Sequence, residues 1–217
     1  MNRKREFIDF MTEAGVLTFG DFTAKSGRKT PYFVNTGNYK TGEHISNLGD
    51  YYAARVAESG EMFDALFGPA YKGITLAAAT AGSLYRNHGI NVPFFFNRKE
   101  AKDHGEGGTL IGYKPKDGDR IAIIEDVVTA GTAVRESIEL LGSAACVKIA
   151  ALFVSVDRME RGTGELSTLQ ELKEEFGINV YSIITARDII DSLPAGDERR
   201  LQMVKYLKQY GASYAGF

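Results

Sequence analysis

Residues 121–133, Ile-Ala-Ile-Ile-Glu-Asp-Val-Val-Thr-Ala-Gly-Thr-Ala, carry the strongest chemical signal in the sequence. An all-apolar run enters two carboxylates, Glu125 and Asp126, and then a short stretch of small residues containing Thr129, Gly131 and Thr132. Val134, Ile138 and Leu141 follow at helical spacing. Amides at a helix start are unpaired and carry the positive end of the dipole, and Gly131 lets the chain approach an anion with no Cβ in the way. Thr129 and Thr132 add hydroxyl donors, and the two carboxylates can accept from vicinal hydroxyls. Together they suit a ribose held by its 5-phosphate. A solvated acidic turn before an N-capping Thr132 is the plain alternative, and it leaves the coincidence of two acids, two threonines and an apolar strand without a reason.

A second anion site is expected at Gly-Pro-Ala-Tyr-Lys-Gly, residues 68–73, which follows another apolar run and precedes a helix. Its amides and Lys72 would face the same crevice. A P-loop is excluded, because Ile74 stands where Lys is required before Thr75, and a dinucleotide fingerprint is absent, since no G-x-G-x-x-G follows any of the apolar runs. The third cluster is 97–108, where Arg98, Lys99, Lys102 and His104 alternate with three glycines and no apolar anchor. That composition predicts a closing loop rather than a packed element. Breaking a bond from a sugar's anomeric carbon to a phosphate leaving group needs cations on the leaving group and exclusion of water from the cationic sugar. Arg158 stands at the end of the run 150–156, suited to a bidentate grip on a carboxylate, although an ion pair with Asp157 or Glu160 would also explain it.

Positioning these residues requires strand ends. Apolar runs at 65–67, 92–96, 121–124, 148–156 and 180–185 alternate with helical patterns at 74–87, 132–141 and 165–176, the order of an α/β fold with a mostly parallel central sheet flanked by helices. Ligands of such folds sit at the carboxyl ends of the strands. Before the alternation come a short amphipathic helix at 5–14 and an irregular, aromatic and basic region at 19–39, suited to short strands covering a site. One domain spanning 1–217 is expected, with no linker, repeat or low-complexity tract. Asp197 to Phe217 reads only as a surface helix.

The 217 residues carry a formal net charge of −2, which gives no global attraction to nucleic acid or anionic lipid. No apolar stretch approaches a membrane span, and the single Cys146 leaves no internal disulfide or multi-cysteine metal site and fits a reducing, cytoplasmic setting. No cluster of acids or histidines forms a protein metal cage, so magnesium would arrive on substrate phosphates.

Residues 121–133 resemble the binding motif for phosphoribosyl pyrophosphate (PRPP) of the type I phosphoribosyltransferases, and the chain is similar over nearly its whole length to orotate phosphoribosyltransferases. The resemblance implies the type I fold with an N-terminal hood at about 1–42, a flexible catalytic loop at about 98–112, and Mg²⁺-dependent synthesis of orotidine 5'-monophosphate from orotate and PRPP in pyrimidine biosynthesis. It further implies that Glu125 and Asp126 contact the ribose, and that Val127, Val128, Thr129, Ala130, Gly131, Thr132 and Ala133 form the phosphate cradle. Tyr71 and Lys72 would meet pyrophosphate, joined by Arg98, Lys99, Lys102 and His104. The last two are the implied catalytic groups of the loop beside Asp126, and the loop would serve the neighbouring subunit of a homodimer. Lys25 would reach the substrates, while Phe33, Val34, Thr129 and Arg158 would hold orotate; Val34 departs from the second aromatic that many members carry. A purine or xanthine phosphoribosyltransferase and a non-catalytic PRPP-sensing regulator are the rival readings.

Overall fold

The computed structural model describes residues 3–24, 27–99, 109–162 and 164–213. Lys25, Lys102 and His104 lie outside the described residues.

The chain opens with α1 (Arg3–Glu13), whose Phe7, Ile8 and Met11 are buried. Strands β1 (Leu17–Thr23) and β2 (Lys29–Val34) then pair antiparallel into a separate two-stranded sheet. A 3-10 turn, Thr36–Asn38, leads into α2 (Gly42–Ser59), which Thr41 caps by accepting from the His44 amide. The alternation that follows is β3 (Ala65–Gly68), α3 (Lys72–His88), β4 (Phe94–Asn97), β5 (Leu110–Gly112), β6 (Arg120–Ile124), α4 (Thr132–Ala144), β7 (Lys148–Asp157), α5 (Thr168–Phe176) and β8 (Asn179–Thr185). Helices α6 (Ala186–Ser192) and α7 (Glu198–Tyr210) end it.

The six strands of the main sheet are ordered β5-β4-β3-β6-β7-β8, and every pairing is parallel except that of the edge strand β5 with β4. A strand in the middle of a parallel sheet is covered on both faces, which is why Ile121, Ala122, Ile123 and Ile124 are all fully buried. Alternate residues of β6 serve two cores. Ala122 and Ile124 pack with α2, α3 and the hood hairpin; Ile121 and Ile123 pack with Val134 and Leu141 of α4 and Leu172 of α5.

From β3 the chain proceeds outward to β4, whereas from β6 it proceeds to β7 and β8 on the other side. The strand order therefore reverses between β3 and β6, the place where open α/β sheets form a crevice at their carboxyl ends. The two segments read as anion sites, 68–73 and 125–132, leave the sheet there side by side. Two elements differ from the sequence reading. Leu110–Gly112 is a strand, so the non-strand part of the predicted loop ends before it. Helix α7 is a docked element, with Met203, Tyr206 and Leu207 buried and the Tyr206 ring edge-on to Tyr32 of the hood at 6.3 Å.

Candidate active site

Strand β6 delivers Glu125 and Asp126 into the crevice, both buried, and its neighbour fixes their backbone. The Glu125 amide donates to Phe153 O at 2.9 Å, and Ser155 donates to Asp126 O through its amide (2.9 Å) and its hydroxyl (2.7 Å). From beneath, the fully buried Tyr52 of α2 donates to Glu125 O at 2.7 Å.

The two carboxylates differ in environment. Burial pushes the Glu125 carboxyl well above the ordinary carboxylate range, the negative Asp126 beside it pushing the same way, although the Asp126 amide donates to Glu125 Oε1 at 3.0 Å. Burial alone would also raise Asp126, but hydrogen bonds from Lys72 and Thr36 outweigh it and hold its carboxyl below the ordinary value. Lys72 Nζ lies 2.8 Å and Thr36 Oγ1 2.5 Å from the same oxygen, Asp126 Oδ2, and Lys72 also donates to Thr36 at 2.7 Å. A cavity of about 170 Å³ opens beside this trio, with Tyr39, Leu48 and Tyr52 among its walls.

Past the acids, the loop turns at Gly131, whose φ of 77° lies in the left-handed region, and enters α4 with no side chain capping its first amides. The loop's carbonyls are tied from behind: Thr168 Oγ1 donates to Thr129 O at 2.7 Å and Arg135 Nη1 to Ala130 O at 2.9 Å. Thr129, Ala130, Thr132 and Ala133 are exposed, while Val127 and Val128 are half-buried. The result is an uncapped helix start beside two acids, suited to an anion carrying hydroxyl groups.

The second loop is equally tight. A Cβ on Gly73 would stand 2.7 Å from Pro69 Cδ and 2.8 Å from Gly68 C, so only glycine fits. Asn97 Oδ1 accepts from the Ala70 amide at 2.8 Å, and the Lys99 ammonium lies over the exposed Tyr71 ring at 5.2 Å. Arg98 N donates to Thr109 O at 2.7 Å, closing the root of the 98–109 segment. Tyr71, Lys72, Arg98 and Lys99 are thus brought to one rim.

Arg158 follows β7. Its Nε and Nη2 both donate to Glu160 Oε1, at 2.9 and 2.6 Å, and the guanidinium lies 4.9 Å from the Tyr32 ring centroid. That pairing is the ion-pair alternative read from the sequence, and it occupies the side edge of the guanidinium. The turn is braced by the C-terminal segment: Ala212 N donates to Met159 O at 2.8 Å and Arg161 N to Tyr210 O at 2.9 Å. Met159 has φ 56°, and its amide donates to Asp157 Oδ1 at 2.8 Å.

The pleat of β2 separates two residues read together from the sequence. Val34 is buried on the Tyr32 face, whereas Phe33 is exposed on the other face and stacks on Phe22 at 5.5 Å. Sequence reading missed Thr36, Tyr52 and Ser155, each far in sequence from the acids it holds. Among the described residues no group of three or more His, Cys, Asp or Glu side chains could hold a metal ion, and no helix is long and apolar enough to cross a membrane.

Comparison with known proteins identifies the family. The phosphoribosyl transferase domain family matches residues 35–181. Orotate phosphoribosyltransferase of Clostridium beijerinckii is 49% identical over 219 residues, covering 96% of this chain and 98% of that protein. The enzyme of the same name from Vibrio cholerae is 49% identical over 211 residues, with coverage of 96% and 98%. The crystal structure of orotate phosphoribosyltransferase from Francisella tularensis superposes with a TM-score of 0.87 at 35% identity, covering 95% of this chain and 100% of that one. With the acid pair, the glycine-turned anion loop and the second loop at one switch point, the chain belongs to the phosphoribosyl transferase domain family and, within it, to the orotate phosphoribosyltransferases.

Proposed function

We propose that this chain transfers ribose 5-phosphate from PRPP to a ring nitrogen of orotate by stabilising a cation-like sugar, each loop of the crevice holding one part of the reactants. Glu125 and Asp126 accept from the ribose hydroxyls, and the amides and hydroxyls from Val127 to Ala133 hold the 5-phosphate. The observation that carries this is the placement of two buried carboxylates immediately before an uncapped, glycine-turned helix start. Tyr71, Lys72, Arg98 and Lys99 meet the pyrophosphate. As its bond to the anomeric carbon lengthens, negative charge collects on the leaving oxygens and positive charge on the sugar. The cations stabilise the first, and the acids hold the second in place for the incoming base.

Arg158 takes the carboxylate of orotate on its end edge, the Nη1 and Nη2 side, while Glu160 keeps the side edge. A bidentate contact there separates orotate from purines, which lack a carboxylate. Val34 lies on that side of the hood; Phe33 and Thr129 complete the proposed base contacts, and Lys25 reaches PRPP. Lys102 and His104 close over the pyrophosphate from the loop of a partner subunit in a homodimer, and His104 donates a hydrogen bond or proton to the leaving group.

Magnesium, carried on the phosphates of PRPP rather than in a protein cage, supplies charge neutralisation of the pyrophosphate. The chemistry of the donor set fits this arrangement, since the rim offers cations for the phosphates and only two acids. The cytoplasm is the compartment we assign, supported by the single, free Cys146.

The test is loss of orotate absorbance on adding PRPP, with and without magnesium, against hypoxanthine and xanthine as alternative bases. Turnover of orotate alone, requiring magnesium, is expected. Turnover of a purine in its place, or none, would overturn the assignment.

A further inference from the structure

Asp126 Oδ2 is held by two donors from two separate parts of the molecule. Lys72 comes from the start of α3, and Thr36 from the 3-10 turn that joins the hood to α2. Both donors reach the same oxygen, so Oδ2 is the fixed end of the carboxylate.

The two donors are not equivalent. Lys72 has a long side chain that is 57% exposed, and its ammonium can swing to an arriving pyrophosphate. Thr36 has one short rotor, and its turn is pinned: Asn35 Oδ1 accepts from the Gly37 amide at 3.2 Å, and Asn38 Nδ2 donates to Gly15 O at 2.7 Å. When Lys72 moves to the leaving group, Thr36 remains as the donor to Oδ2.

We propose that Thr36 is a positioning residue for the reaction: its hydroxyl fixes Asp126 Oδ2 and so sets the orientation in which the carboxylate meets the ribose. Through it the hood that covers the base is tied to the acid that holds the sugar. The hydroxyl has a single proton, and its direction is settled by its neighbours. Lys72 can only donate to it, so its own proton goes to Asp126. The inference rests on the assignment of Asp126 to the ribose. The charged and titratable groups facing Asp126 are Lys72 from α3, Glu125 beside it on the same strand end, and Tyr52 from α2.

Thr36→Val removes the donor at nearly constant volume, and Thr36→Ser keeps it. Removing one hydrogen bond to a charged group predicts a fall of about tenfold or more in kcat/KM for PRPP. The KM for orotate should stay within twofold. The acidic limb of kcat/KM for PRPP against pH should move upward, since the ionised carboxylate has lost a donor, and Thr36→Ser should restore both rate and limb. A merely structural role would lower the melting temperature of both variants and leave the limb in place, which would overturn the proposal. A Val variant within twofold of the parent would overturn it as well. Asp126→Asn, assayed in parallel, separates the two levels. If it leaves PRPP use intact, the ribose assignment fails; if it impairs PRPP use while Thr36→Val does not, only the role of Thr36 fails.

Discussion

Replacing Asp126 by Asn isolates the charge of the ribose-facing acid from its shape. Oδ2 accepts from Lys72 at 2.8 Å and from Thr36 at 2.5 Å, and an asparagine oxygen turned the same way can keep both bonds. The amide group then takes the place of Oδ1, putting a donor where the sugar hydroxyl needs an acceptor. For the unliganded fold the change is small. The Lys72 partner is 57% exposed, so the lost ion pair is worth no more than about 1 kcal/mol, and relief from burying a carboxylate offsets it. For catalysis the loss is one charge-assisted hydrogen bond, roughly 1.5–3 kcal/mol, or about 10- to 150-fold in kcat/KM for PRPP. Initial rates with PRPP varied at saturating orotate measure it, and thermal melts without substrate measure the stability side. A kcat/KM within threefold of the parent would refute the ribose contact. A melting temperature falling in step with activity would show that the acid serves the fold instead.

Gly73→Ala should destabilise the protein by roughly 1–3 kcal/mol and abolish PRPP turnover, because the new Cβ meets Pro69 and Gly68 at 2.7 and 2.8 Å and neither can yield; denaturant melts and rate assays read the two effects. Glu125 has a raised pKa in the fold, so its contribution to stability is full below the unfolded value of about 4.3 and is lost as pH rises through the folded value. Glu125→Gln should therefore flatten the decline of the unliganded melting temperature between pH 5 and pH 8, and an unchanged slope would contradict the buried, protonated carboxyl. Lys102→Ala should lower kcat by more than about tenfold, the usual scale for a transition-state cation, with the KM for orotate unchanged. An effect confined to orotate affinity would place Lys102 outside the leaving-group site.

Much of the crevice was legible because its signals are local. The run 121–124 is apolar at every position, as a strand covered on both faces must be, and the acids and Gly131 follow within one short segment. Strand β5 was not legible, since three residues show no period and its place depends on pairing with β4. The docking of α7 was hidden for another reason: its sequence shows which residues are apolar but not that Tyr206 meets Tyr32 of the hood. Thr36 carried no signal at all, because its partner is 90 residues away and a threonine in a turn is ordinary. Phe33 and Val34 show the converse. Their adjacency suggested a shared task, and the pleat sends them to opposite faces.

The most direct test is a crystal structure of the protein with PRPP and magnesium. The ribose hydroxyls should lie within hydrogen-bond distance of Glu125 and Asp126, with the 5-phosphate on the amides from Thr129 to Ala133. A sugar phosphate bound away from the β6 strand end would contradict the account.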